Sequence, residues 1–292
     1  MTLALGAAAL AADARTERRQ LLALSSPALL VVALVVFVPV GWLFWLSFFD
    51  QTGATFANYQ RLLDNVAYYK IFQTTFVLSA VVTLVTILMG YPLAYLLSQL
   101  SRRAALVGLA LVLLPFWTSL LVRTYAWLVL LQRNGLINTL LIKLGLIDQP
   151  LGLVYNFTGA VIGMVHIMLP FLVLPLYASM KTIDPLLPRA AMSLGASPRA
   201  AFFTVFAPLT LPGLFAGSLL VFIYCLGFYI APQVLGGGRV NMVAMKILEN
   251  ATTYFNWGAA SALGVVLLAV TLAIFYLVGR FLPVGRLSAE ER

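Results

Sequence analysis

Long, continuous runs of apolar residues dominate the chain, and short polar segments separate them. Six such runs occupy residues 28–49, 71–98, 105–131, 159–180, 213–235 and 259–281. As a helix, each run is long enough to cross a hydrocarbon core of ~30 Å. The runs do not alternate with polar residues, and a segment in lipid must satisfy its own backbone hydrogen bonds. The pattern therefore predicts an all-α membrane protein with six transmembrane helices.

The composition supports this prediction. Hydrophobic residues make up 62% of the 292 residues and charged residues only 9%, and the mean hydropathy is +1.01. These values lie far from those of soluble globular domains. Cys225 is the only cysteine, which excludes an intrachain disulfide.

Positive charges predict the orientation, because Lys and Arg are enriched in cytoplasmic loops. If the N-terminus is inside, the inner segments hold most of the 18 Lys and Arg residues, namely Arg15, Arg18, Arg19, Arg102, Arg103, Lys181, Arg189, Arg199, Arg280, Arg286 and Arg292. Six spans then put both termini in the cytoplasm. Topology and attraction to anionic lipid explain the net charge of +9, so nucleic-acid binding is not expected.

The predicted organisation is one membrane domain between two cytoplasmic tails. The N-terminal tail covers residues 1–27, the six-span domain residues 28–281 and the C-terminal tail residues 282–292. No positive charge precedes the short apolar run at the N-terminus, so we interpret that segment as a tail rather than a cleaved signal.

Residues 184–212 interrupt the apolar pattern between the fourth and fifth runs. Their first part places apolar residues on one face of a short helix and leaves Arg189 and Ser193 elsewhere. The apolar residues are Leu186, Leu187, Ala190, Ala191 and Leu194. Gly195 is expected to end this helix.

A second short helix is predicted to begin at Ser197, whose hydroxyl can cap it, with Pro198 at the first helical position. Its apolar face consists of Phe202, Val205, Phe206 and Leu209. Pro208 and Pro212 are expected to disturb it. The resulting cytoplasmic helix-turn-helix is too short to span a membrane. It can lie in the headgroup layer or dock a soluble partner, and the pattern alone leaves both interpretations open.

The stretch RAAMSLGASPRAAFFTVFAPLTLP, residues 189–212, resembles the EAA loop of importer-type ABC transporter permeases. That loop has an acidic residue, two alanines, a glycine and, further on, a hydrophobic residue before a proline. The matching positions are Ala190, Ala191, Gly195, Leu211 and Pro212. Arg189 stands where the family usually has Glu, which suggests a partner groove adapted to a cation.

The resemblance extends over nearly all of the chain after the N-terminal tail. It is carried by GYPLAYLL at 90–97, LPFWTSLLVRTYAWLVLLQRNGLIN at 114–138, LPFLVLPLYASM at 169–180 and LPGLFAGSLLVFIYCLGFYIAPQVLGG at 211–237. With six predicted spans, these stretches resemble the spermidine/putrescine type of permease subunit.

This resemblance implies a mechanism in which a soluble ATPase dimer binds two permease subunits through their loop helices. Nucleotide-driven closure then rocks the two bundles between inward-open and outward-open states. The residues implied in coupling are Leu186, Leu187, Arg189, Ala190, Ala191, Ser193, Gly195, Ala196 and Ser197. ATP and Mg²⁺ belong to the ATPase, so this chain is expected to hold no cofactor and to be no enzyme. Its sequence contains no GxxxxGK followed by Ser or Thr.

The resemblance also implies further partners and a location. These are a second, paralogous permease subunit, a periplasmic or extracellular solute-binding protein, and the bacterial inner membrane. The implied cargo is a small organic cation such as putrescine or spermidine. An opine, an amino-acid derivative or a quaternary amine is the alternative cargo.

A cation that crosses this subunit meets no acidic residue within a predicted span. Aromatic faces can substitute through cation–π contacts worth ~1 to 2 kcal/mol when dry, although each aromatic can instead simply pack. We expect the path to include Trp117, Tyr125, Tyr224, Phe228, Tyr229, Gln233 and Asn256. In the outer loops, Asp148 and Glu249 can either meet a cation or be solvated charges.

The missing intramembrane acid also argues against the competing class, an ion-coupled secondary transporter. His166, the only histidine, has no Cys or carboxylate at ligand spacing, so no metal site is expected. We interpret it as a packed histidine bonded to a neighbouring helix, with a pore-lining role as the alternative.

Arg123 is the one charge inside a predicted span. An isolated cation there costs at least ~2.5 kcal/mol on insertion scales. Its five donors suit a clamp on backbone carbonyls or on a carboxylate of the partner subunit, and a gate is the alternative. Its sign excludes direct binding of a cationic cargo.

Overall fold

The computed structural model of the chain describes residues 2–50 and 53–281, with the side chains of 20–49, 53–277, 279 and 280. Thirteen α-helices lie in these ranges: α1 (Thr2–Leu46), α2 (Ala57–Asp64), α3 (Val66–Gln99), α4 (Arg102–Leu113), α5 (Leu120–Leu131), α6 (Leu136–Lys143), α7 (Phe157–Thr182), α8 (Leu186–Ser193), α9 (Pro198–Ala201), α10 (Ala207–Leu226), α11 (Ile230–Leu235), α12 (Val243–Thr252) and α13 (Trp257–Phe281). A small antiparallel pair joins β1 (Phe49–Asp50) to β2 (Gly53–Ala54), with Phe49 opposite Ala54 and Asp50 opposite Gly53. The prediction of a helical fold is confirmed.

Five helical segments are long and apolar enough to cross a membrane within the described ranges. They are Gln20–Leu46, Val66–Gln99, Phe157–Thr182, Pro198–Leu226 and Trp257–Leu277. A sixth crossing is possible if the bent pair Arg102–Trp117 and Leu120–Lys143 forms one span.

The third apolar run, residues 105–131, is not the single helix that its length suggests. After α4 the chain forms a 3₁₀ turn, Leu114–Trp117, and then two extended residues, Thr118 and Ser119. The axes on either side are bent by 97°. The break lies at Thr118 and Ser119, where the backbone leaves the helical conformation.

Three helices, α3, α7 and α10, form the core of the bundle. Leu78, Met164, Leu172 and Val221 are fully buried among them. Glycines permit the close approach: a Cβ at Gly217 would lie 3.0 Å from a Leu172 methyl carbon. Small residues of this kind are how helices pack tightly where lipid supplies no hydrophobic driving force.

The bundle has two distinct ends. α3 and α7 finish at the hairpin end, which carries residues 183–206, and α10 begins there. The starts of α3 and α7 lie at the opposite, far end together with residues 227–253. One long-range bond fixes each end: Lys181 Nζ donates to the Ser98 carbonyl at 2.9 Å, and Val243 N donates to Thr75 Oγ1 at 3.0 Å.

The second helix of the 184–212 segment differs from its prediction. It is not stopped by Pro208 or Pro212; it passes through a π-turn, Phe202–Phe206, and continues as α10. The wider π-turn relieves the clash between a proline ring and the carbonyl one turn earlier, which accounts for the continuous helix. The fifth predicted span, 213–235, instead breaks after α10 at Gly227 and resumes as α11.

The structure describes the backbone of the predicted N-terminal tail but not the predicted C-terminal tail. The backbone of the N-terminal segment is helical and continuous with the first apolar run, and α1 passes through Pro27 and Pro39. The C-terminal segment, residues 282–292, lies outside the described residues.

Candidate functional site

The hairpin between α7 and α10 is built from α8, a tight turn and α9. Asp184 Oδ1 accepts a hydrogen bond of 2.8 Å from the N–H of Leu186 and starts α8. Gly195 adopts φ +98°, and the N–H of Ala196 bonds back to the Ala191 carbonyl at 3.0 Å. The prediction that Gly195 ends this helix is confirmed, since its conformation is one that other residues rarely adopt.

The start of α9 also follows the sequence. Ser197 Oγ accepts a hydrogen bond of 3.2 Å from the N–H of Ala200, and Pro198 occupies the first helical turn. The predicted cap is therefore present.

Most of the apolar face of α8 is exposed in the described part of the chain. Leu194 is 89% exposed, and Leu186 and Leu187 are also exposed. Arg189, Ala190, Ser193, Gly195 and Ser197 are exposed as well, and Ala191 and Ala196 are half-buried. All nine residues predicted to couple to a partner thus remain accessible on one hairpin.

A cavity of about 410 Å³ separates this hairpin from the ends of α3 and α7. Ser98, Lys181, Arg189 and Met192 contribute to its lining. Beside it, Tyr95 packs edge-on against Phe202 and Phe206, with ring centroids 5.2 and 5.3 Å apart. Sequence reasoning missed Tyr95 and the bond of Lys181 to α3, because neither is visible in local patterns. These contacts fix the base of the hairpin to the bundle.

A second cavity, of about 630 Å³, lies at the far end. It brings together two of the predicted path residues, Tyr229 and Gln233, and joins them to Lys246 and Glu249 of α12. Lys246 Nζ lies 2.9 Å from Glu249 Oε2. We call this the far-end cavity. Hydrophobic patterning does not predict that these four residues lie together.

The other predicted aromatics do not converge with this cavity. Tyr224 packs against Phe171 with ring centroids 4.8 Å apart, and Phe228 is half-buried against the core. Trp117 is 79% exposed, and Tyr125 is also exposed. A cargo path that included these aromatics would need further lining residues from another chain.

Asn256 has a capping role instead of a place beside Gln233. Its Oδ1 accepts a hydrogen bond of 2.9 Å from the N–H of Ala259 at the start of α13. Its own N–H bonds to the Asn250 carbonyl at 2.9 Å. A capping bond of this type stabilises a helix by about 1 kcal/mol.

Arg123 and His166 both have unpartnered nitrogens within the described part of the chain. The Arg123 guanidinium lies 5.8 Å from the centroid of the Phe116 ring, and its Nε is buried without a hydrogen-bond partner. His166 packs edge-on against Trp127 at 5.6 Å, but its Nδ1 makes no hydrogen bond. His166 therefore packs against a neighbouring helix as predicted, but its Nδ1 does not make the predicted hydrogen bond.

Among the residues that the structure describes, no group of three or more His, Cys, Asp or Glu side chains could hold a metal ion. Cys225 is buried and unpaired in the core.

Comparison with known proteins gives relatives of similar length. No protein-family model matches the chain. It is 34% identical over 246 residues to the spermidine/putrescine transport system permease protein PotB of Haemophilus influenzae, covering 81% of this chain and 86% of that protein. It is 32% identical over 261 residues to PotB of Escherichia coli K12, covering 86% and 94%. The inner membrane ABC transporter permease protein YdcU of E. coli is 34% identical over 197 residues, covering 62% of each.

Two solved structures share the fold. A bacterial alginate ABC transporter in complex with an alginate pentasaccharide-bound periplasmic protein gives a TM-score of 0.76 at 16% identity, covering 91% of this chain and 94% of that one. A bacterial ABC transporter involved in alginate import gives 0.66 at 17% identity, covering 91% and 97%. At such low identity the likeness concerns the fold alone.

Proposed function

The chain belongs to the family of PotB spermidine/putrescine transport system permease proteins, and on that premise we propose that it imports a small organic cation as one permease subunit of an ABC transporter. Putrescine and spermidine are the best-supported cargoes, because the relatives are named for them. The energy comes from a separate ATPase that binds ATP and Mg²⁺, and this chain acts without a cofactor of its own.

The observation that carries the coupling mechanism is the accessible hairpin on a fixed base. The apolar face of α8 is largely exposed. At the base of the hairpin, Lys181 bonds the end of α7 to α3, and Tyr95 of α3 packs against Phe202 of the π-turn. The π-turn and α10 continue from α9 without a break. A displacement of the hairpin therefore moves three core helices, which is what transmission from an ATPase requires.

In this proposal the hairpin lies in the cytoplasm and α12 faces the outside of the bacterial inner membrane. α4 and α5 together make one broken crossing, which gives six spans and puts both tails, 1–27 and 282–292, inside. Broken helices in membranes occur where the backbone is buried in protein or lines a cavity. The extended residues Thr118 and Ser119 therefore belong on the side facing a second, paralogous permease subunit.

The proposed path runs between the two permease subunits, and the aromatics Trp117, Tyr125 and Tyr224 serve it from this side. Their exposed rings offer cation–π contacts without a fixed charge. Arg123 contacts the partner subunit rather than the cargo, since its sign opposes a cation. A solute-binding protein delivers cargo at the far end, as a periplasmic protein accompanies the structurally similar alginate transporter.

The alternative cargoes, an opine, an amino-acid derivative or a quaternary amine, would use the same architecture. A secondary transporter is less compatible with the chain, because no acidic residue lies within the six apolar runs.

The energy source can be tested with single cysteines. Ala191→Cys and Ser193→Cys, made in a Cys225→Ala background, are expected to crosslink to the ATPase of the assembled transporter. Thr252→Cys at the far end is the matched control and should not. Uptake by the chain alone without nucleotide, or equal crosslinking from both ends, would refute the proposal.

A further inference from the structure

The far-end cavity contains an ion pair with the chemistry of the proposed cargo. Lys246 Nζ and Glu249 Oε2 are 2.9 Å apart, and both residues line the cavity. It is the one ion pair among the side chains that the structure describes. The Lys246 ammonium thus pairs with the Glu249 carboxylate in the cavity that Tyr229 and Gln233 also line.

Glu249 carries its negative charge at neutral pH. The hydrogen bond from Lys246 lowers the pKa of the Glu249 carboxyl below its ordinary value, and a bond with Tyr254 adds to this effect against the opposing influence of burial. The Glu249 side chain is 41% exposed, so water and solutes can reach it. An accessible carboxylate is the group that a primary ammonium ion binds best.

Lys246 has a second partner available. Its Nζ lies 5.3 Å from the centroid of the Tyr254 ring, within the range of a cation–π contact. The start of α12 is fixed by the bond from Val243 N to Thr75 Oγ1, while the lysine side chain is long and flexible. The ammonium contacts the ring and Glu249 at the same time, so it can release the carboxylate and keep the ring without movement of the helix.

The rest of the cavity suits an aliphatic amine. Met245 supplies apolar surface for methylene groups, and the Gln233 amide and the Tyr229 ring supply a second place for positive charge. Methionine side chains adapt readily to flexible apolar chains. The cavity thus offers groups for two positive charges and for the apolar chain between them.

We propose that Glu249 binds a terminal ammonium group of the transported amine, and that Lys246 is a tethered competitor which occupies Glu249 while the cavity is empty. This inference rests on the proposed function and names the site of cargo recognition within it. Cargo binding exchanges one ammonium for another on the same carboxylate, so Glu249 is paired in both states, and the released Lys246 ammonium stays beside the Tyr254 ring. Such competition multiplies the intrinsic affinity by the fraction of time that Glu249 is free.

The competition predicts opposite effects for the two charges. Glu249→Gln removes the acceptor and should raise the dissociation constant for putrescine by about tenfold. Lys246→Met removes the competitor but keeps the length of the side chain, and should lower the dissociation constant by about threefold. A pair that merely stabilised α12 would make both variants behave alike.

The test is equilibrium binding of radiolabelled putrescine to the complete permease–ATPase complex in lipid nanodiscs, without the binding protein. Asp64→Asn and Lys143→Met are the matched controls, because they make the same charge changes at residues that do not line this cavity. Shifts in opposite directions, with unchanged controls, support the inference. No measurable binding by the wild type, unchanged variants or shifts in the same direction would overturn it. Parallel measurement of ATP-dependent uptake by the wild type separates failure of this site from failure of the proposed function.

Discussion

Lys181 Nζ donates a hydrogen bond of 2.9 Å to the backbone carbonyl of Ser98, 83 positions away in the sequence. The two residues lie in the last turns of α7 and α3, at the edge of the cavity beneath the hairpin. The bond ties two core helices together where the hairpin begins. A force applied to the hairpin therefore reaches both helices.

Lys181→Met should weaken this coupling while leaving the fold intact. The bond is worth about 1 kcal/mol because it is partly exposed to solvent, so transport per ATP hydrolysed should fall by about fivefold. The ratio of uptake to phosphate release in proteoliposomes measures this effect. Lys143→Met at the far end is the control. An equal fall in the ratio of uptake to phosphate release for this variant would contradict a specific role of Lys181 in coupling.

Replacing Gly195 should affect coupling through the backbone alone. A Cβ at this position meets no atom within 4 Å, yet φ is +98°. A left-handed conformation costs roughly 1–2 kcal/mol for an ordinary residue, and Asn tolerates it better. Gly195→Val should therefore uncouple hydrolysis from uptake, and Gly195→Asn should retain most of the coupling. Equal activity of the two variants would contradict the account of this turn.

Arg123 should matter for assembly rather than for insertion. Arg123→Ala removes a costly charge from an apolar segment, so membrane insertion should be at least as efficient. Loss of the guanidinium should reduce recovery of the second permease subunit in pull-down experiments. Arg123→Lys should fail similarly, because an ammonium does not reproduce the planar fork. A fully active Lys variant would show that the fork is unnecessary.

Truncation of a path aromatic should weaken transport of a cation. Trp117→Ala, Tyr125→Ala or Tyr224→Ala should lower uptake by about tenfold where the ring contacts cargo, equivalent to ~1.4 kcal/mol. Tyr276→Ala in α13 is the control, since that ring is exposed away from the core. Initial uptake rates provide the measurement. Unchanged uptake rates in all three variants would contradict a role of aromatic contacts in transport.

Local chemistry made much of the hairpin predictable. Gly195, Ser197 and Pro198 act within one turn of their own positions, and each behaves as the sequence indicates. The continuation through Pro208 was not predictable in the same way. It depends on the π-turn before that proline, which reflects the packing of Phe202 and Phe206 on Tyr95 of a distant helix.

The candidate binding residues depend even more on tertiary structure. Tyr229 and Gln233 lie near a helix break at Gly227, whereas Glu249 comes from a separate helix. Only the fold brings them to one cavity. Likewise, Gln233 and Asn256 looked equivalent as polar residues beside apolar runs, but Asn256 caps α13. Hydrophobic periodicity contains no information on either relationship.

The most direct test of the central claim is uptake by the complete transporter in proteoliposomes, with its ATPase, second permease subunit and binding protein. Labelled putrescine and spermidine should accumulate only when ATP is supplied on the hairpin side, and an anionic solute of similar size should not. Accumulation without ATP would contradict the ABC mechanism. Preference for the anionic solute would contradict the assignment of a cationic cargo.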